Sequence, residues 1–371
     1  MIKVVDVVYH CHKEYDQPQQ VIAKHAPSLG FTDYIKDRLD ISFVKHSNYE
    51  GFQKIDNVPF AFFKSRNRFF YIPFKTHRYI KNLDPDIVIV EGLIFPLQLM
   101  MLKLFLARKC IIVVQHHGES PYKGYKKILQ QLSGKFISLF LFTSCENAIP
   151  WIKAGVIMNS LQCRELQEAS TYFCRAGRKE SQERCGISGD HNFLWVGRFN
   201  ENKDPVTVLK GFEHYAAKSN NARLYMISQE GDLFNEVKKM INKSTILNRT
   251  VKLLGKIPHE ELRYWYSSCN FFLSGSLKEG SGYALMEAMS CGCIPIVTAI
   301  PSFKKLTCNG KYGFLYPPGN EKDLSEILVG IEGINIEEKA NEVERYFQKN
   351  LAFKNIADDM VNIFEKLIPV K

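Results

Sequence analysis

The sequence predicts an α/β fold with two domains, each a parallel sheet covered by helices. Three observations lead to it. The chain has 371 residues, which is two to three domains at roughly 100–200 residues each. Short apolar runs alternate with helical stretches, as in parallel sheets with crossover helices. A polar, glycine-containing stretch at residues 175–190 separates two series of such runs, and we predict that it is a linker.

Each series contains five predicted strands. In the first series they are residues 2–9, 41–45, 86–90, 111–115 and 139–143. In the second they are residues 193–196, 224–227, 251–254, 271–274 and 294–297. Residues 356–367 then predict an amphipathic helix, because apolar positions recur there at helical spacing.

Composition excludes several classes of protein. Hydrophobic residues make up 45% and charged residues 24% of the chain, which excludes disordered, collagen-like and coiled-coil proteins. No apolar run reaches the about 18 residues of a membrane helix, and the first residues read as a strand and not as an export signal. The ten cysteines are scattered without a Cys-x-x-Cys pair, so we expect reduced thiols in the core of a cytoplasmic protein and no zinc site.

The net charge of +10 is unevenly distributed. Residues 1–180 carry +9 and residues 181–371 carry +1. Such an asymmetry indicates an anionic partner for the first half: a membrane surface, an acidic substrate or nucleic acid.

The polar residues that could carry chemistry follow the predicted strands. In open α/β sheets, ligands bind outside the carboxyl ends of the strands. In the first half these positions hold residues 10–12, 91–92 and 115–119. In the second half they hold residues 197–198, 228–231, 255–259 and 275–282.

The most informative of these segments runs from Glu279 to Glu287. It follows a predicted strand and opens a helix, so Gly280 and Gly282 allow close backbone approach and the free N–H groups of the helix form an anion site. Glu287 lies in an apolar run, where a carboxylate without partners would be costly to bury. Two carboxylates beside an anion site suit a ligand with a phosphate and several hydroxyls, meaning a nucleotide sugar.

A second segment, residues 195–205, places two cations after a strand that ends near Gly197. Arg198 and Lys203 suit a diphosphate, because arginine can bind it with two hydrogen bonds and lysine acts as a point charge. Asp204 is predicted to cap a helix whose first residue is Pro205.

Together these motifs resemble the donor domain of the family 4 retaining glycosyltransferases, which have the GT-B fold. The resemblance extends from Phe193 to about Leu328. It includes the glutamate pair Glu279 and Glu287 and the basic motif with Arg198 and Lys203. It also includes the segments 288–292 and 313–319. It implies two facing Rossmann-like domains with a cleft between them and a C-terminal helix that crosses back to the first domain. The implied boundaries are 1–178 for an acceptor-binding domain, 179–352 for a donor-binding domain and 353–371 for the closing helix.

The resemblance also assigns roles to residues of the second half. Arg198 and Lys203 would bind the donor diphosphate and stabilise the charge of the leaving group. Glu279 would hold sugar hydroxyls, Glu287 would accept from the ribose, and Ile257 would flank the nucleobase. The donor would also contact Gly280, Ser281, Gly282, Tyr283 and Ala284. The catalytic set is completed by His117, with His116 as the alternative, whereas His10 and His12 are interpreted as loop residues.

The implied activity is transfer of a hexose-type sugar from UDP or GDP to a glycan or lipid-linked acceptor, with retained configuration and without a metal or other cofactor. Bacterial surface polysaccharide or glycolipid synthesis is the expected setting. The alternatives are a GT-B nucleotide-sugar epimerase, a phosphorylase, and a basic binding module with a non-catalytic nucleotide site.

Two basic and aromatic stretches of the first half remain to be explained. Residues 62–81 hold the cations Lys64, Arg66, Arg68, Lys75, Arg78 and Lys81 among seven aromatic residues, and residues 122–135 hold four lysines. No nucleic-acid motif accompanies them, so we expect no nucleic-acid partner. Basic amphipathic helices that bind an anionic membrane surface are the favoured interpretation, on the inner face of the plasma membrane, and a solvated helix face is the alternative.

Overall fold

The structure is a computed structural model that describes residues 1–12, 15–65, 68–187, 191–219, 221–229 and 231–368. The chain forms two compact units. The first unit consists of Met1–Ser170 together with the C-terminal segment that begins at Phe353, and the second consists of Thr171–Ala352.

The first unit contains an eight-stranded sheet in the order β3-β4-β2-β1-β5-β6-β7-β8. Its strands are β1 Ile2–His12, β2 Leu39–Ser47, β3 Gly51–Ile55, β4 Val58–Lys64, β5 Ile87–Glu91, β6 Ile111–Gln115, β7 Leu139–Phe142 and β8 Cys163–Glu165. Neighbouring strands are parallel except for the antiparallel pair β3 and β4. The five predicted strands are confirmed, while β3, β4 and β8 were not predicted.

Two sequence interpretations of this unit are wrong. His10 and His12 belong to strand β1 and not to a loop, because β1 continues to His12 through an irregular register with β2. Residues 62–81 are not one amphipathic helix. Their first residues complete strand β4, and a helix begins only at Phe74. Arg66 lies outside the described residues.

The helices of residues 1–170 follow the strands. They are α1 Pro18–Leu29, α2 Thr32–Ile35, α3 Phe74–Leu83, α4 Pro96–Phe105, α5 Tyr125–Gly134 and α6 Ile149–Lys153. The connection between β3 and β4 is a tight turn in which Asp56 and Asn57 have φ angles of 48° and 69°. Such left-handed pairs match the twist of a hairpin.

The second unit contains a six-stranded sheet in the order β11-β10-β9-β12-β13-β14, with all neighbours parallel. Its strands are β9 His191–Arg198, β10 Ala222–Gln229, β11 Val251–Gly255, β12 Phe271–Ser274, β13 Ile294–Thr298 and β14 Phe314–Tyr316. The five predicted strands of the second series are confirmed, and β14 was not predicted. Strands β12 and β13 are buried along their whole length, because helices cover both faces of a parallel sheet, whereas the edge strands β11 and β14 are partly exposed.

Nine helices described for this unit connect and cover the strands. They are α7 Arg178–Cys185, α8 Pro205–Ala216, α9 Phe234–Lys243, α10 Thr245–Thr250, α11 Leu262–Ser268, α12 Tyr283–Ser290, α13 Pro301–Leu306, α14 Glu321–Gly330 and α15 Ile336–Asn350. Helix α7 lies within the predicted linker, so that prediction is wrong for its central residues. The only buried side chain of α7 is Ser181, and Arg184 pairs with Glu261 at 2.6 Å, which explains why the sequence reads as a polar connection.

The last helix, α16 Phe353–Leu367, completes the core of the first unit. Its apolar side joins Leu29, Phe31 and Ile35 in one hydrophobic cluster; the buried residues of α16 are Phe353, Ile356, Ala357, Met360, Val361 and Phe364. Gly30 is required for this contact, since a Cβ atom there would lie 2.5 Å from the ring of Phe353. An ion pair between Arg38 and Asp358 closes its exposed side.

Six of the ten cysteines are buried, as expected, but Cys174 and Cys308 are exposed and Cys145 and Cys185 are half-buried. None of the ten, all of which lie within the described residues, forms a disulfide. Within the described residues, none of the helices combines the length and the apolar character needed to cross a membrane.

Candidate active site

The candidate site of the second unit lies where the strand order of the sheet reverses. From β9 the chain proceeds to β10 and β11 on one side, and from β12 to β13 and β14 on the other. The loops after β9 and β12 therefore separate at this point and leave a crevice, which is where open α/β sheets bind ligands. Both motifs singled out in the sequence follow these two strands.

The loop after β9 is shaped by short polar side chains. The side chain of Asn200 accepts a hydrogen bond from the backbone N–H of Lys203 at 3.0 Å. Asp204, with a φ of 39°, caps α8 by accepting from the N–H of Thr207 at 3.1 Å, and Pro205 is the first helical residue, as predicted. Arg198 ends β9 with an exposed side chain.

The loop after β12 approaches the first loop closely. A Cβ atom on Gly275 would lie 2.6 Å from the carbonyl oxygen of Asp204. Gly282, with a φ of 67°, precedes the first residue of α12, and a side chain there would collide with Leu306. Ser302 donates to the carbonyl oxygen of Glu279 at 3.1 Å and fixes the loop.

The structure brings together the two groups that the sequence placed in separate motifs. The ammonium group of Lys203 is hydrogen-bonded to the carboxylate of Glu279. Both line a small cavity with Gly282, Tyr283 and Ala284, at the N-terminus of α12. Gly280 and Ser281 are half-buried in the loop, and Ile257 is half-buried after β11.

Glu287 is buried in α12, with 2% of its surface exposed, and both of its oxygens have partners. The hydroxyl of Tyr266 donates to one oxygen at 3.0 Å, and Nε2 of His259 lies 2.5 Å from the other. The hydrogen bond that His259 donates to Glu287 raises the pKa of His259. The carboxylate that we expected to face a ribose is thus held by two protein side chains.

His259 itself packs against two aromatic rings. The ring of Phe173 stacks on it with centroids 4.9 Å apart, and that of Tyr283 with centroids 6.0 Å apart. Sequence reasoning noted the loop that ends at His259 but missed His259, Phe173 and Tyr266 as site residues. A buried Glu287 requires a cationic or hydrogen-bond-donating partner. That requirement was the only sequence signal that pointed to such residues.

In the first unit, His117 follows β6 and is held by two carboxylates. Its ring contacts Glu91, at the end of β5, and Glu168. Burial works against the charged ring, but Glu168 and Glu91 outweigh it and raise the pKa of His117 well above its ordinary value. Its backbone N–H donates to Glu119 at 2.8 Å. His117 is therefore an imidazolium, with 38% of its side chain exposed.

The alternative histidine, His116, lies in a different environment. Its side chain is 3% exposed, its ring packs against Phe142 and Trp151, and Nε2 donates to the carbonyl oxygen of Glu119 at 3.0 Å. Burial lowers its pKa. His116 is a neutral core residue, and His117 is the one of the pair that is accessible.

A network of titratable side chains extends from His117 into the sheet. Lys45 donates to Asp6 at 3.4 Å, and both side chains are less than 10% exposed. Burial raises the pKa of Asp6 well above its ordinary value, so its protonated carboxyl group can hydrogen-bond to Glu91. Although burial opposes it, the charge of His117 lowers the pKa of Glu91 to about 2. No sequence pattern indicates this network.

The described residues contain no group of three or more His, Cys, Asp or Glu side chains arranged to hold a metal ion. The chain has one Asp-x-Asp sequence, Asp84 to Asp86, but it precedes β5. Asp86 accepts from the backbone N–H of Lys3 at the start of β1. Asp86 therefore lies at the amino ends of the strands, whereas His117 lies at their carboxyl ends.

Comparisons with known proteins bear on both units. Residues 178–349 match the family model described as glycosyl transferases group 1. The alpha-monoglucosyldiacylglycerol synthase of Streptococcus pneumoniae is 24% identical over 355 residues, which cover 82% of this chain and 78% of that protein. The GDP-mannose:cellobiosyl-diphosphopolyprenol alpha-mannosyltransferase of Xanthomonas oryzae pv. oryzae is 31% identical over 123 residues, covering 33% of this chain and 32% of that one. The crystal structure of HepE from Anabaena in complex with UDP superposes with a TM-score of 0.73 at 14% identity, covering 98% of this chain and 100% of that chain.

Proposed function

The chain is a group 1 glycosyltransferase with the GT-B fold, and from this premise we propose that it transfers a hexose-type sugar from UDP or GDP to a lipid-linked acceptor with retained configuration. The observation that carries the proposal is the Lys203–Glu279 pair at the switch point of the second sheet, beside the N-terminus of α12. A diphosphate needs a cation there, and a sugar needs a carboxylate within reach of its hydroxyls.

The donor would bind with its diphosphate on Arg198 and Lys203. Binding would exchange the carboxylate partner of Lys203 for phosphate oxygens and leave Glu279 free to accept from sugar hydroxyls. The N–H groups at Ser281 to Tyr283 add the positive end of α12 to the same anion site. Charge on the departing diphosphate is then stabilised by groups already in place, which is the usual source of large rate enhancements.

The sugar would leave with the bond between its anomeric carbon and the diphosphate oxygen broken, while the acceptor hydroxyl attacks from the same face. The departing phosphate oxygen is the base that takes the hydroxyl proton, so no separate protein base is required. In the first unit, the proposed catalytic residue is His117. Its imidazolium is held by Glu91 and Glu168 and would donate to a sugar oxygen.

A lipid-linked acceptor is supported by a surface of the first unit. Helix α5 exposes Tyr125, Ile128 and Leu132, which are 60%, 58% and 42% exposed and share one face at i, i+3 and i+7 spacing. Lysines flank this face; they are Lys123, Lys126, Lys127 and Lys135. We call this surface the α5 face. Apolar side chains bordered by cations suit an anionic bilayer, which would place the protein at the inner face of the plasma membrane, in glycolipid or surface polysaccharide synthesis.

Thermal unfolding with a panel of UDP-, GDP- and ADP-sugars identifies the donor. A ligand at 100 times its dissociation constant stabilises the folded state by about 2.7 kcal/mol. Lys203→Gln should lose most of this shift, and Lys210→Gln, an exposed lysine of α8, should keep it.

Transfer from the identified donor to diacylglycerol and to polyprenyl-diphosphate acceptors in mixed micelles, with and without EDTA, then tests the reaction. We expect glycolipid product both with and without EDTA. Nucleotide binding without transfer to any acceptor would indicate a non-catalytic module. A changed sugar without an acceptor would indicate an epimerase, and activity that requires added manganese or magnesium would contradict the metal-free mechanism.

A further inference from the structure

The first unit contains a cavity of about 200 Å³ that no motif of the donor site explains. It lies at the carboxyl ends of β1 and β5, where the strand order of the first sheet reverses. The two basic and aromatic stretches of the sequence meet here, since Arg68 and Phe69 come from one and Tyr122 and Lys126 from the other. The sequence predicted two separate surface features, and the fold joins them into one concave site.

The walls of the cavity are aromatic and are fixed in place. Gln98, 5% exposed on α4, donates two hydrogen bonds, to the carbonyl oxygens of Phe69 at 3.0 Å and of Tyr71 at 2.8 Å. The hydroxyl of Tyr122 donates to the carbonyl oxygen of Ile94 at 3.2 Å. The rings of Phe69 and Tyr122 meet edge to face with centroids 5.8 Å apart. Residues 69–71 therefore form a preformed wall.

The charge in the cavity is positive. The ammonium group of Lys126, which lines the cavity, lies 4.7 Å from the ring centroid of Phe69 and 5.5 Å from that of Tyr122, and both rings hold it in place. Arg68 supplies a second cation on the loop. Of the residues that the structure describes, none with a carboxylate lines the cavity. The carboxylate of Glu119 accepts a hydrogen bond from the backbone N–H of His117 at 2.8 Å.

The position of Lys126 connects the cavity to the α5 face. Lys126 follows Tyr125 on α5, so its side chain points about 100° away around the helix, toward the cavity, while Tyr125 and Ile128 point to solvent. A molecule held in the bilayer by its tails could place its head group on Lys126 and Arg68. At about 200 Å³ the cavity is smaller than the about 300–1,000 Å³ of a typical small-molecule site, which suits a head group and not a whole lipid.

We propose that this cavity binds the phosphate-bearing head group of an anionic membrane lipid, with Arg68 and Lys126 on the phosphate and the rings of Phe69 and Tyr122 against the glycerol. Binding of the lipid does not depend on the proposed function. Only the further step, in which this lipid or a similar one is the acceptor of the sugar, rests on the proposed function. The binding experiment uses no donor nucleotide, so its outcome is separate from that of the transfer assay.

Calorimetry with monomeric short-chain lipids tests the proposal on the full chain. The probes are dihexanoyl phosphatidic acid, dihexanoylglycerol and glycerol 3-phosphate. We expect saturable binding of the phosphatidic acid and at least about tenfold weaker binding of the other two, which lack either the phosphate or the tails. The double variant Arg68→Gln, Lys126→Gln should weaken binding of the phosphatidic acid by at least about tenfold, as for the loss of charge-assisted hydrogen bonds.

The matched control is Lys123→Gln, Lys127→Gln, which removes the same charge from the same region without touching the cavity lining. Phe69→Leu is a second cavity variant that leaves the charge unchanged and should also weaken binding. The proposal is overturned if wild-type protein does not bind the phosphatidic acid, if the double variant binds it as tightly, or if the control loses as much. Equal affinity for glycerol 3-phosphate and for the phosphatidic acid would overturn the proposal that the ligand is a lipid, and would indicate a soluble phosphate instead.

Discussion

At the scale of single residues, the two glutamates of the donor motif have different environments. Glu279 is half-buried and faces a lysine that a diphosphate can take over. Glu287 is buried with a tyrosine hydroxyl and a histidine ring on its two oxygens. Burial of a carboxylate is tolerated only with such partners. The two residues are therefore expected to fail in different ways when they are replaced.

Glu279→Gln should reduce transfer far more than binding of the bare nucleoside diphosphate, because the substitution leaves Lys203 free for the phosphates. Glu287→Gln should weaken the nucleoside diphosphate itself by about tenfold or more, as expected for the loss of a charged acceptor. Calorimetry with nucleoside diphosphate and initial rates with the full donor separate the two effects. The reverse pattern, with Glu279→Gln abolishing nucleotide binding and Glu287→Gln sparing it, would invert the assignment.

His259 makes nucleotide binding depend on pH. Below its raised pKa the imidazolium occupies Glu287, and as pH rises through that pKa the ion pair is lost and the carboxylate becomes available to ribose hydroxyls. The groups that face His259 are Glu287, Glu260, Tyr283 and Phe173. Affinity for nucleoside diphosphate should therefore increase several-fold between about pH 6 and pH 9. In His259→Gln this part of the pH dependence should disappear, whereas the exposed His214→Gln should behave as wild type.

The same pair affects stability with the opposite sign. A group whose pKa is raised in the folded state stabilises it fully below the unfolded value of about 6.5 and loses that contribution as pH rises through the folded value. The difference in melting temperature between wild type and His259→Gln should thus be largest in acid and should shrink at alkaline pH. A difference that grows with pH would contradict the ion pair.

At the scale of elements, α5 shows how one short helix can present side chains to three different environments. Its ten residues present Gln130 and Ser133 to the core, Lys126 to the cavity, and Tyr125, Ile128 and Leu132 to solvent. Exposed apolar side chains in such a row are uncommon on a surface that faces only water. Helix α3, by contrast, presents mainly charged side chains, so the α5 face is the better candidate for a membrane contact.

Sedimentation with vesicles tests the α5 face. Binding should require anionic lipid and should fall steeply between low and high salt, because screening acts over about 8–10 Å at physiological ionic strength. The variant Ile128→Ser, Leu132→Ser should bind several-fold less, since it removes apolar side chains that would enter the interface. Val329→Ser, an equally exposed apolar residue of α14, is the control. Equal recovery with neutral and anionic vesicles would leave the face as an ordinary solvated surface.

At the scale of the whole molecule, the first unit depends on a segment from the far end of the chain. Phe364 of α16 is fully buried in the same cluster as the strands of the first sheet. Phe364→Ala should destabilise this unit by about 3–5 kcal/mol, the usual range for a large aromatic residue in a core. Hydrogen exchange followed by mass spectrometry should show faster exchange in β1 and β2 and unchanged exchange in β9 and β12. Glu365→Ala, its exposed neighbour, should change neither, and uniform loss of protection in both sheets would contradict the assignment.

The sequence by itself determined the alternation of strands and helices, because a buried parallel strand is a short apolar run and its end is marked by polar residues. All ten predicted strands are present for that reason, and so is the cap at Asp204. Three of the strands that were missed have weak local signals: β8 and β14 have only three residues each, and β3 is half-exposed. The fourth, β4, is an apolar run whose last residues were assigned to the basic and aromatic stretch.

Only the tertiary structure decided which side chains meet. Lys203 and Glu279 are 76 residues apart, and they pair because β9 and β12 are neighbours in the sheet. His259 reaches Glu287, and Lys126 reaches Phe69, through the same kind of long-range placement. A sequence pattern reports burial and period along the chain, whereas these contacts depend on strand order and loop path, which the pattern does not contain.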